Sequence, residues 1–243
     1  MTRIFACIAA TAFVLATLFL GAAALMHGAL ADTDFTGEPP AAYTATSRSW
    51  TWDGGDALHV SIPATVRLVP GSSPRITVQG PADALSRIAY GHGHLELVRH
   101  GFWNEANWDG DAVTVTITGV TLHSIALAGS GRIDMGTLNQ DRLALAVAGS
   151  GDVQAKGRAD TLSLDIAGSG KARLGALAAR AAHIRIAGAG TVEADAKDFA
   201  EVSITGSGTV RFSGKPAKLQ TRIAGSGRIE DGAGQPLAGR GGD

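Results

Sequence analysis

The chain has one cysteine, Cys7, and it falls inside the first apolar segment. Everything after that segment must therefore be held by packing and hydrogen bonds, without a disulfide, even where the surroundings would let one form. Aromatic residues make up 5% of the 243 positions. The apolar content is mainly Ala, Val, Ile and Leu, which suits a narrow β interior better than a broad globular core. Neither sign of charge is in excess: the formal net charge is −1, so nothing in the balance implies nucleic acid or an acidic surface as a partner. The 33 glycines follow no collagen-like triplet, which leaves turns as their use.

What is present is repetition. Gly-Ser-Gly stands at Gly129-Ser130-Gly131, Gly149-Ser150-Gly151, Gly168-Ser169-Gly170, Gly206-Ser207-Gly208 and Gly225-Ser226-Gly227, with Gly188-Ala189-Gly190 between the third and fourth. Successive first glycines are 20, 19, 20, 18 and 19 residues apart. A fixed period of this length signals a solenoid whose repeats stack as coils. Two residues before each triplet stand Leu127, Val147, Ile166, Ile186, Ile204 and Ile223, and two after it Ile133, Val153, Ala172, Val192, Val210 and Ile229. These positions alternate with polar ones, so each triplet is a corner flanked by strands with one buried face. Ala128, Ala148, Ala167, Ala187, Thr205 and Ala224 immediately precede the corners, where small side chains suit a tight turn.

Charge gives an independent test of stacking. Three residues past the triplets the column reads Asp134, Gln154, Arg173, Glu193, Arg211, Glu230; one residue past, it opens Arg132, Asp152, Lys171. Alternating signs are favoured if neighbours in a column lie side by side on adjacent strands, about 4.8 Å apart. The expected fold is all-β: a right-handed parallel β-helix of about six coils, each of two or three short strands, with an N-terminal β region packed on it or continuing into it.

That N-terminal region, from Arg48 to Gly119, alternates like strands. Trp50 and Trp52 share a face, and Leu58-Val60-Ile62, Val66-Leu68, Ile76-Val78 and Val113-Val115-Ile117 follow. A helical turn is expected over Pro81 to Ser86, and a hairpin from Ile88 to Val98 around Gly91-His92-Gly93. The chemically richest stretch runs from Tyr90 to Asp111. His92 and His94 on one strand face are weak candidates for metal binding, lacking a third spaced ligand. Phe102, Trp103 and Trp108 could form an apolar platform for a sugar ring or a partner protein. The plainest reading folds these tryptophans over the end of the core.

Catalytic patterns fail on inspection. Gly168-Ser169-Gly170-Lys171 has the ending of a phosphate-binding loop, but the upstream glycine is missing and Ala172 replaces the magnesium-binding hydroxyl. No triplet serine has the spacing of a nucleophile elbow, and a nucleophile is needed once whereas a corner is needed at every turn. No cofactor motif is found. His183 falls in an outward column with Ser163 and Glu201, and His123 is expected to open an inward column continued by Leu143 and Leu162.

At the N-terminus, Arg3 precedes an apolar run from Ile4 to Leu25, and Ala29-Leu30-Ala31 then precedes Asp32. This is the pattern of a secretory signal peptide over 1–31 cleaved after Ala31, or of an anchor if it is retained. Residues 32–47, with Pro39-Pro40, read as a linker, and 232–243 as a glycine-rich tail.

In order along the chain, Trp50-Thr51-Trp52-Asp53-Gly54-Gly55-Asp56, Val60-Ser61-Ile62-Pro63-Ala64, Thr77-Val78-Gln79-Gly80-Pro81 and the reiterated triplets resemble the head GIN domain family of auto-transporter adhesin-like proteins. The resemblance covers about 48–231. It implies an exported β-helical domain and brings no catalytic residues with it. The Gly188-Ala189-Gly190 corner and the long aromatic stretch around Trp103 are departures, and no C-terminal translocating barrel is seen, so self-translocation is not expected. The function expected is a non-enzymatic, adhesin-like binding module, exported to the periplasm or cell envelope. Its partner would be an envelope component, glycan or protein, and its membrane contact the N-terminal segment alone. A polysaccharide-active β-helix enzyme and a purely structural envelope protein are the alternatives.

Overall fold

A computed structural model describes residues 46–97 and 113–237. The expected signal segment, residues 32–45 of the linker, Phe102, Trp103, Trp108 and the last six residues lie outside the described residues.

The chain is all-β, a parallel β-solenoid of about six turns. Its repeat strands are β8 (Ser124–Gly129), β9 (Arg132–Gly149), β10 (Asp152–Gly168), β11 (Lys171–Gly188), β12 (Thr191–Gly206), β13 (Thr209–Phe212), β14 (Lys218–Gly225) and β15 (Arg228–Asp231). Two or three short strands per coil were expected; β9 to β12 instead run unbroken for 16–18 residues from one Gly-Ser-Gly corner to the next. The reason lies in the direction of the hydrogen bonds. They point along the solenoid axis to the coils above and below, so a strand can bend in its own plane without losing its ladder. The bends show as register shifts, between Gln154 and Lys156 and between Leu174 and Ala178.

Each long strand thus has two arms, one following a corner and one leading to the next. The leading arms carry Leu127, Val147, Ile166, Ile186 and Ile204, and the following arms Ile133, Val153, Ala172, Val192, Val210 and Ile229, all of them buried. Burial of each Ile, Leu or Val contributes about 1.5–3 kcal/mol. The last coil departs from the pattern: Thr221 is exposed and Ile223 half-buried, where the solenoid ends at the edge of β14.

Pairing also shows how the N-terminal region is built. β2 (Ala57–Val60) and β3 (Thr65–Val69) pair in parallel with β8 and β9, placing Ser61-Ile62-Pro63-Ala64 where the repeats have Gly-Ser-Gly. A further parallel layer lies beyond them, β6 (His94–Leu97) on β2 and β7 (Thr114–Thr118) on β3. Antiparallel strands then close this end: β4 (Arg75–Gln79) on β7, β1 (Ser47–Thr51) on β4, and β5 (Ile88–Gly91) on β6, with the short helix α1 (Ala82–Ser86) between β4 and β5. The sheet is therefore mixed in pairing, and the solenoid's parallel layers begin upstream of the first triplet.

Candidate binding surfaces

The corners form a ridge made mostly of backbone. Gly168 has φ 121°, a left-handed conformation open to glycine, and a β-carbon there would lie 2.5 Å from the Gly149 carbonyl oxygen. The third glycine serves a different purpose: a β-carbon on Gly170 would stand 2.7 Å from Cγ1 of Val147, in the core. The middle residue is exposed and contributes its amide, Ser169 N–H donating to Gly149 O at 2.9 Å and Ala189 N–H to Gly168 O at 2.9 Å. That explains why alanine replaces serine at one corner without disturbing the stack. The ridge offers hydroxyls and carbonyls, and no assembled nucleophile.

At the N-terminal end, Trp50 and Trp52 pack against the core and both contact Tyr90, with ring centroids 5.9 and 5.8 Å from its ring. The Arg48 guanidinium lies 4.6 Å from the Trp50 ring and donates to the carbonyls of Leu85 and Ile88 at 2.9 Å. The Asp53 N–H donates to the Tyr90 hydroxyl at 3.2 Å, and burial pushes the Tyr90 pKa up to about 12. The Trp-Thr-Trp-Asp segment is thus an aromatic lid on the end of the solenoid. The sequence showed the shared face of the tryptophans but not Tyr90, which reaches them only through the β5–β6 hairpin.

His92 and His94 do not share a strand face. His92 sits in the hairpin turn with φ 50°, its Nδ1 3.6 Å from an Asp53 carboxylate oxygen. Burial alone would raise the Asp53 pKa; the His92 backbone N–H, the Tyr90 hydroxyl and the His92 charge outweigh it and hold it below the usual value. His94 stacks on His59 of β2, with centroids 4.4 Å apart and planes 6° from parallel. Burial, and then the neighbouring His94, lower the His59 pKa. Among the described residues no three His, Cys, Asp or Glu side chains gather as a metal site would require. His123 is half-buried with Nδ1 3.5 Å from Asp56; Leu122 takes the buried position, because the β8 ladder starts only at Ser124. His183 meets Glu201 at 3.1 Å on the neighbouring strand and tilts against Phe199.

The outer face of the following arms holds a shallow depression of about 520 Å³, lined by Thr65, Arg67, Arg132, Asp134, Gln154 and Arg173. Register brings these together from four successive strands, β3, β9, β10 and β11: Thr65 beside Arg132, Arg67 beside Asp134, Gln154 between Asp134 and Arg173. Asp152 anchors two of the arginines through Oδ2, Arg132 at 3.7 Å and Arg173 in closer contact. Its Oδ1 is buried without a hydrogen-bond partner among the described residues. Asp134 Oδ1 accepts from Gly136 N–H at 3.0 Å. Arg67 makes no ion pair within 4.0 Å among the described residues, and neither does Lys171, beside Asp152 in the ladder. That Arg67 faces outward was legible from Val66 and Leu68; that it stands over Asp134 was not, because β3 joins the repeats from 67 residues upstream.

Residues 56–230 match the family model described as "Putative auto-transporter adhesin, head GIN domain". No curated protein sequence matches the chain. Among solved structures, a "putative adhesin" from Bacteroides fragilis is 19% identical, with a TM-score of 0.58, covering 76% of this chain and 95% of that one. A "putative lipid binding protein" from Parabacteroides distasonis is 20% identical, with a TM-score of 0.49, covering 81% of this chain and 97% of that one. At these identities the first likeness bears on the fold alone.

Proposed function

We propose that this chain, which belongs to the head GIN domain family, is an exported, adhesin-like binding module of the cell envelope that acts by presenting a rigid surface. The observation that carries this reading is the register. From β7 and β3 through to β15 the following arms pair in parallel, so their outward side chains stand in fixed columns along one continuous face. Such a face suits an extended ligand better than a small substrate, which needs an enclosed cleft.

Export is supported by the Ile4–Leu25 apolar run and the Ala29-Leu30-Ala31 cleavage pattern. Mass spectrometry of the exported protein should find Asp32 at its start; an intact Met1-to-Leu25 segment would instead mean an anchor. For recognition, the segment holding Phe102, Trp103 and Trp108 is the leading candidate, since broad apolar faces are what sugar stacking and protein anchoring require. A Trp103→Ala, Trp108→Ala double variant should melt like the parent and lose binding to isolated envelope material. Unchanged binding at unchanged stability would remove this candidate, and a fall of several degrees in melting temperature would make the tryptophans a cap.

A further inference from the structure

We infer that the depression over β3, β9, β10 and β11 is a binding site for an acidic polysaccharide, one whose sugars carry carboxylates. Three guanidinium groups, Arg67, Arg132 and Arg173, face one carboxylate, Asp134, across its lining. Arg132 and Arg173 are already fixed by Asp152, so ligand binding orders little there and their remaining N–H groups are free to donate. Arg67 has no ion-pair partner among the described residues and its side chain is exposed. It supplies the uncompensated charge. A planar guanidinium fork matches a carboxylate with two parallel hydrogen bonds.

The other lining groups select the ligand class. Bare phosphate needs donors alone, whereas sugar hydroxyls need donors and acceptors together. Thr65, Asp134 and Gln154 provide acceptors between the arginines. The four strands spread the cations over about 14 Å at the ordinary strand spacing, which fits several linked sugars lying along the solenoid axis. An anionic bilayer is the weaker match. Among the described residues the exposed large hydrophobics are Val69 and Leu97, and they lie on different arms, so no apolar wedge accompanies the charge.

The inference rests on reading the chain as a binding module but not on its aromatic segment. The test uses the purified full chain and oligogalacturonate, with neutral dextran of equal length, inorganic phosphate and phosphatidylglycerol vesicles as comparisons. Calorimetry should show saturable oligogalacturonate binding that weakens with added salt. Arg67→Gln should weaken it about tenfold, the loss of one charge-assisted contact, and leave the melting temperature unchanged. Lys215→Gln, which removes one exposed charge elsewhere, should leave binding intact. The site is overturned by no saturable binding, by equal losses in the two variants, or by equal affinity for vesicles or phosphate. It is also overturned if Trp103→Ala, Trp108→Ala abolishes oligogalacturonate binding while Arg67→Gln does not, which would assign the polymer to the aromatic segment. Failure of the module reading would look different: oligogalacturonate would bind, and neither variant would alter capture of envelope material.

Discussion

At the scale of single residues, the three positions of a corner have separate jobs and should respond separately to substitution. Gly168 is needed for its backbone, whose φ of 121° places any β-carbon against the Gly149 carbonyl. Gly170 is needed for the space its missing side chain leaves to Val147. Ser169 is needed only for an amide that any residue but proline supplies. Gly168→Ala should therefore cost about 1–3 kcal/mol in backbone strain alone, and more once the contact with Gly149 is relieved. Ser169→Ala should stay within about 0.5 kcal/mol of the parent. Chemical denaturation of the two variants measures the difference directly, and equal losses would mean the serine side chain holds the corner.

At the scale of strands, the register read from sequence meets its strongest check in charge. Glu193 stands between Arg173 and Arg211 in the ladder. It makes no close ion pair among the described residues: Arg173 turns to Asp152, and Arg211 reaches Glu230 at 3.4 Å. Glu193→Lys should thus act through new repulsion from both neighbours, costing about 0.4–2 kcal/mol and less in high salt. A loss insensitive to salt would place its cause outside the charge column. The coils were legible because a repeat supplies six aligned readings of one position, so buried and exposed columns separate without knowledge of the partner strand. The N-terminal layers offer one reading each. Their strands showed in the alternation of Leu58, Val60, Val66 and Leu68, but not their order, because β7 stacks outside β3 although it follows it in the chain. For the same reason the depression around Arg67 was not visible.

The His59–His94 stack belongs to this scale too, as it joins β2 to β6. Burial first, and then the His94 charge, lower the His59 pKa in the folded chain, while unfolding returns it to about 6.5. Below that value the unfolded chain binds more protons, so the stability that neutral His59 contributes is present above about pH 6.5 and is lost as pH falls toward the lowered folded value. On β6 the Glu96 carboxylate lies two residues beyond His94; near the hairpin and at the start of β8 stand the His92–Asp53 and His123–Asp56 pairs. Asp53, whose pKa is also lowered, keeps its contribution above the ordinary aspartate value and loses it as pH falls from there through its folded value. Melting temperatures of the parent and of His59→Phe, which keeps a flat ring without the charge, should diverge between about pH 7 and 5. The parent should fall more steeply; parallel curves would show that the stack does not titrate.

At the scale of the whole solenoid, the two ends are finished differently, and unfolding should begin at one of them. In a stack where each coil touches mainly its neighbours, stability is nearly a sum of coil and interface terms, and the interior is protected from both sides. The N-terminal end is closed by the antiparallel strands β1, β4 and β5, by α1, and by the lid of Trp50, Trp52 and Tyr90. At the C-terminal end, among the described residues, one arm is closed: β15 is backed by a bridge from Glu230 to Pro236 and by Leu237 N–H donating to Ile229 O at 2.9 Å. On the other arm, β14 pairs with β12 on one side and with no described strand on the other. Its inward residues Leu219 and Ile223 are only half-buried, and Thr221 is exposed. Opening β14 therefore uncovers little apolar surface, whereas opening β11 breaks ladders to both β10 and β12 and exposes Leu174, Leu177, Ile184 and Ile186. Local opening free energies track such differences, and amide hydrogen exchange reads them. Peptides covering 218–225 should exchange first among the strands, those covering 47–60 should be slower, and those covering 162–187 slowest, approaching the rate set by global unfolding. If β14 exchanged as slowly as β11, the edge that no described strand pairs would have to be covered in solution by another strand.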